Sequence, residues 1–100
     1  MTPDTLLRAR PHLRIAHHVP GRLRIRFAPA VLKTAPEIAD NQALDTLESM
    51  PGVKKVQLRL MAASLLIEYD PKAMPSETWE TILSGPEREA RALLERYVPG

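Results

Sequence analysis

The chain has 100 residues, of which 44% are hydrophobic, and it carries 14 basic against 12 acidic residues and no cysteine. That length suits one small domain with a single core rather than two domains. The lack of cysteine removes disulfides, a thiolate nucleophile and any Cys-x-x-Cys metal clip, so a metal would have to be held by nitrogen, oxygen or methionine sulfur. Charge is uneven: residues 1–28 hold six arginines against Asp4, a net +5, whereas the remainder holds eight basic against eleven acidic residues, a net −3. This asymmetry predicts a basic N-terminal surface able to meet an anion, an acidic lipid or an acidic protein. No apolar run approaches the roughly 18 residues that span a bilayer, and the first thirty lack the apolar core of a signal peptide, so a soluble, cytoplasmic chain is expected.

Residues 1–12 read as an N-terminal arm and 13–98 as a single domain. From Leu13 to Phe27, Leu13, Ile15, His17, Val19, Leu23, Ile25 and Phe27 share one phase of a two-residue alternation, and Arg14, Ala16, His18, Arg22, Arg24 and Arg26 share the other. This predicts a half-buried strand, interrupted or bulged at Pro20-Gly21 because proline removes a ladder donor. Thr34-Ala35-Pro36-Glu37 reads as a capping box opening a helix. Ile38, Ala43, Leu44, Leu47 and Met50 then recur along one helical face. Pro51-Gly52 closes that helix. Val53 to Leu60 and Ser64 to Tyr69 follow as an antiparallel hairpin joined by Met61 to Ala63, and Asp70-Pro71 stops it. Residues 75–98 read as a helical tail broken at Ser84-Gly85-Pro86-Glu87, a second capping box. The expected order is strand, helix, strand, strand, helix: an α+β, ferredoxin-like split motif whose final strand is absent or replaced by a helix.

Pro20-Gly21-Arg22-Leu23-Arg24-Ile25-Arg26, then a helix, then Leu47 through Pro51-Gly52-Val53-Lys54-Lys55-Val56, then Ser64-Leu65-Leu66-Ile67-Glu68-Tyr69-Asp70-Pro71, resembles the heavy-metal-associated domain superfamily in its cysteine-less branch. The resemblance covers roughly residues 13–72. The superfamily's copper and zinc chaperones carry two cysteines in the loop after the first strand, which this chain lacks. More specifically, Arg14-x-Ala16-His17-x-x-Pro20-Gly21-Arg22 is similar to a motif of proteins associated with ferrosomes, bacterial iron-storing organelles, and of the N-terminal regions of iron-type P-type ATPases. The resemblance implies a role in iron storage or trafficking, with haem or an iron ion as ligand. It also suggests a place at the cytoplasmic face of a membrane or organelle, beside a transport ATPase.

His17 is the candidate ligand because it lies in the apolar phase, where the plain structural alternative is a half-buried histidine bonded to a backbone carbonyl. Adjacent strand residues point to opposite faces, so His17 and His18 should not chelate one iron within a chain. A ferrous ion generally needs histidine plus carboxylates, yet the nearest acids in sequence are Asp4 and Glu37. Haem asks for only one or two axial ligands. Its propionates suit Arg14 or Arg22; extended geometry would place both arginines opposite His17, but the Pro20-Gly21 turn is expected to shift the phase for Arg22. Glycine there permits the turn and the close approach of a flat ligand, and proline fixes the entry angle. One small protomer would leave much of a porphyrin exposed, so a homodimer with His17 from each copy is expected. Met61, Met74 and Tyr69 are weaker axial candidates, better explained as core or turn residues.

Arg22, Arg24 and Arg26 form a basic row on one strand, so the alternative function is a metal-free adaptor that docks an acidic protein or a membrane surface. Nucleic-acid binding is not expected, because aromatic residues make up only 4% of the chain and no stacking platform is evident. Catalysis is not expected either: no serine carries a nucleophile signature and no glycine-rich phosphate loop occurs. Trp79 and Tyr97 read as core or oligomer-interface residues.

Overall fold

A computed structural model of the chain describes residues 3–36 and 41–98. Four strands, β1 (Leu13–Val19), β2 (Arg22–Phe27), β3 (Val53–Arg59) and β4 (Ser64–Tyr69), form one antiparallel sheet in the order β1-β2-β4-β3. Helices α1 (Pro3–Ala9), α2 (Val31–Thr34), α3 (Asn41–Glu48), α4 (Ser76–Ser84) and α5 (Glu87–Tyr97) accompany it. β2 and β3 run parallel with β4 between them, which is the split β-α-β unit of the ferredoxin-like α+β class expected from sequence.

The segment read as one interrupted strand is a hairpin. Val19 pairs with Arg22, leaving Pro20 and Gly21 as a two-residue turn. Proline at the first central position and a glycine at φ +90° at the second meet the demands of a type II turn. Gly21 O accepts from Tyr69 N at 3.0 Å, and a Cβ on Gly21 would lie 3.2 Å from Tyr69 O, so the turn sits tightly against the end of β4. As expected, no strand follows α4 among the described residues. The sheet edge beside β2 is instead taken by β1, so the fourth strand comes from the N-terminal side.

The alternation in β2 and β4 sets the core. Leu23, Ile25, Leu65, Ile67 and Tyr69 face the helices and are buried with Leu47, Met50, Met74, Trp79, Ile82, Leu83 and Leu94. Each such side chain contributes about 1.5–3 kcal/mol relative to exposure. The residues read as an arm join this core: Leu6 and Leu7 on α1 are buried in the same cluster. Arg10 ties the N-terminal segment to the end of α4, donating from Nε to Leu83 O at 3.3 Å and from Nη2 to Gly85 O. It thereby satisfies carbonyls that the helix end leaves without partners. Across the surface Arg91 donates to Asp4 Oδ1 at 2.8 Å, a bond that holds the guanidinium above its ordinary pKa.

Of the two expected capping boxes, the one at Ser84 does not form and the one at Thr34 runs beyond the described residues. Thr34 ends α2, where its hydroxyl donates back to Ala30 O at 3.3 Å, while Glu37 and Ile38 lie outside the described residues. Ser84 is the last residue of α4, and the N-cap of α5 is Pro86, which has no capping side chain. Gly85 serves close packing instead, since a Cβ there would come within 2.8 Å of Thr81 O.

Candidate functional site: the open face of the sheet

The site depends on the two-residue turn at Pro20-Gly21 and on one irregularity in β1. Ile15 pairs with Ile25, but the next pairing is His17 with Arg24, so Ala16 is an extra residue. Such a bulge displaces the alternation by one position. Leu13 and Ile15 are partly buried, Ala16 and His17 are both exposed, and His18 is partly buried. This corrects the expectation that His17 occupies the apolar phase. His18 occupies it, opposite Leu23, and His17 emerges on the open face.

His18 is anchored from both ring nitrogens. Nδ1 lies 2.8 Å from Glu80 Oε2 and Nε2 lies 2.6 Å from Tyr69 Oη, while Tyr69 Oη lies 3.1 Å from Ser76 Oγ. The Glu80 carboxylate can only accept, so Nδ1 carries the proton. In the neutral imidazole Nε2 then accepts from the Tyr69 hydroxyl, whose oxygen accepts from Ser76. The side chain of His18 is only 4% exposed. Both nitrogens are engaged, so His18 is a positioning residue that holds the bulge, not a free ligand. The imidazole of His17 has no hydrogen-bond partner among the described residues.

Phase displacement also resolves the separation of His17 from the arginines. The expected shift for Arg22 does occur at Pro20-Gly21, since Val19 pairs with Arg22 and His17 with Arg24 across the two-residue turn, and the Ala16 bulge adds a second shift that brings Arg14 to the same face. The paired residues form three outward-facing ranks across the sheet: Val19, Arg22, Glu68 and Lys55; then His17, Arg24, Leu66 and Gln57; then Arg14, Arg26, Ser64 and Arg59. A second bulge, between Val53 and Lys55, leaves Lys54 exposed beside Lys55. The open face therefore presents seven cations, Arg14, Arg22, Arg24, Arg26, Lys54, Lys55 and Arg59, against Glu68. None of the seven has an ion pair among the described residues. His17, Val19, Arg22 and Arg24 line a depression of about 440 Å³, and Arg26, Arg59, Ala62, Ser64 and Leu66 extend a second one of about 170 Å³ toward the β3–β4 turn.

The other sequence candidates lie elsewhere. Met61 is fully exposed in the β3–β4 turn, Met74 is fully buried, and Tyr69 is 2% exposed with its hydroxyl committed to His18 and Ser76. Pro20 and Gly21 shape the turn that starts Arg22. The bulge itself and the anchoring of His18 escaped sequence reasoning, and the adjacent histidines were the one visible signal that the alternation had a choice to make.

Among the described residues no three histidine or carboxylate side chains gather where they could hold an ion, and there is no cysteine, so a bare heavy-metal ion does not fit this face. A ligand that brings most of its own donors and carries negative charge does fit: it needs one imidazole and neighbouring guanidiniums. Comparison with curated proteins and with solved structures gave no match. Residues 3–85 match the family described as heavy metal associated domain 2, a span that takes in the sheet, both bulges and α4. With most of its length accounted for in this way, the chain belongs to the heavy metal associated domain 2 family.

Proposed function

We propose that this domain is a non-catalytic haem carrier in bacterial iron storage or trafficking, of the ferrosome or iron-transport kind suggested by the Arg14-to-Arg22 motif. The observation that carries the reading is the register of β1 on β2: the Pro20-Gly21 turn sets His17 on the same face as Arg22 and Arg24, and the Ala16 bulge brings Arg14 to that face. Haem supplies four porphyrin nitrogens and an iron that needs only axial ligation. His17 would be the axial ligand, Arg22 and Arg24 would pair with the propionates, with Arg14 at the far side of the face, and Ala16, Val19 and Leu66 would offer apolar contact to the ring. Guanidinium forks suit carboxylates better than lysine does. An iron ion alone is the weaker form of the reading, because the face supplies a single imidazole and no nearby carboxylate except Glu68. A dimer sharing one haem would set two basic faces against each other, and two propionates would offset only part of that repulsion. The proposed form is therefore one haem on one chain.

Titration with haemin, followed in the visible spectrum, tests this. The expected result is a sharpened Soret band at one equivalent, lost in His17→Ala with an unchanged far-ultraviolet circular dichroism spectrum. Replacing both Arg22 and Arg24 by glutamine should weaken binding at least about ten-fold. The same band in His17→Ala would overturn the ligand assignment, and no specific band in the wild type would overturn the haem reading in favour of a metal-free adaptor.

A further inference from the structure

The end of the open face farthest from Val19 carries a feature that haem binding does not use. The rank Arg14, Arg26, Ser64 and Arg59 is closed by the β3–β4 turn, where Phe27 N donates to Ala63 O at 3.0 Å and secures the turn against the end of β2. Ala63 holds a left-handed conformation at φ +50°, and Ala63 N donates to Leu60 O at 3.1 Å. Leu60 and Met61 thus project at the tip of a hydrogen-bonded turn, 57% exposed and fully exposed respectively. Exposed apolar side chains scattered singly need no explanation, but two in succession at a tip bordered by unpaired arginines are a different matter.

We infer that the domain docks on an anionic lipid bilayer, with Leu60 and Met61 entering the interfacial layer and Arg14, Arg26 and Arg59 meeting lipid headgroups. The chemistry on the page favours a bilayer over an acidic protein for two reasons. A headgroup layer accepts a row of cations without a matched geometry, and the acyl boundary accepts Leu60 and Met61 at the same time. Charge is also segregated across the molecule. Among the described residues the sheet face holds Glu68 as its one acid and Asp70 follows the end of β4, whereas Asp4, Asp45, Glu48, Glu77, Glu80, Glu87, Glu89 and Glu95 lie on helices. The field of such a molecule orients the sheet face toward an anionic surface and the helices away from it.

The inference is independent of haem, and its test uses the intact chain. Co-sedimentation would be measured with vesicles of phosphatidylcholine alone and with vesicles containing 30% phosphatidylglycerol, a stated composition on the order of an anionic leaflet. Binding is expected only to the anionic vesicles and should fall as salt is raised. Arg26→Gln and Arg59→Gln should each weaken it about five-fold. Replacing Leu60 and Met61 together by serine should weaken it roughly ten-fold at unchanged net charge, while the haemin titration of that variant stays as in the wild type. Failure to bind anionic vesicles would overturn the inference. So would full binding by the Leu60/Met61 variant, which would reduce the face to a general anion exchanger. Binding to polyaspartate but not to vesicles would instead assign an acidic protein as the partner.

Discussion

The two faces of the sheet are built from the same strands and have opposite chemistry. On β2, Leu23 and Ile25 are 0% and 3% exposed beneath the helices, while Arg22, Arg24 and Arg26 alternate with them in solvent. The inward face excludes water and stabilises the fold. The outward face gathers like charges that do nothing for stability and are held near one another only because the inward face has fixed the backbone. The adjacent histidines repeat the contrast at a single step of the chain: His18 is satisfied by two side chains, and His17 by none. In such a sheet the unsatisfied member of each pair is the one available to a ligand.

The sharpest way to break the comparison is on β2 itself. Leu23→Ala empties a fully buried position and should cost about 2–5 kcal/mol, read as a lowered midpoint in urea denaturation. A smaller loss is expected from Tyr69→Phe, which removes the hydroxyl from His18 Nε2 and leaves a buried acceptor unpaired, at about 1–3 kcal/mol. Because His18 holds the bulge, the same variant should also weaken haem binding although Tyr69 never meets the ligand. Unchanged haem affinity with lowered stability would separate the anchor from the site. Least affected should be Arg24→Gln, within about 0.5 kcal/mol of the parent and on the stabilising side at low salt, since it relieves repulsion from Arg22 and Arg26. That small gain should vanish as salt is added, whereas the losses at Leu23 and Tyr69 should persist.

Local pattern carried much of this architecture. β4 spans the expected residues, β3 ends one residue early, and the break between α4 and α5 lies where Gly85-Pro86 placed it. Proline and glycine act within a few residues, so their effects are readable without the rest of the fold. The capping box at Ser84 failed for the opposite reason. Ser84 is the last residue of α4, and a hydroxyl at a helix end bonds backward or faces solvent rather than capping the next helix.

By itself, the sequence determined the class of fold, the alternation of β2 and β4, the break at Pro20-Gly21 and the concentration of arginine near the N-terminus. These follow from period-two patterning and backbone restriction, both local. Only the tertiary structure decided which histidine faces the helices. The choice rests on where β1 gains its extra residue, and nothing within residues 13–19 distinguishes a bulge at Ala16 from an uninterrupted strand. It is settled by cross-strand pairing with β2 and by Tyr69 and Glu80, which lie 51 and 62 residues away in sequence and bind the imidazole of His18 from inside. A polar ring entering the buried side must find partners there, and only the folded chain brings them.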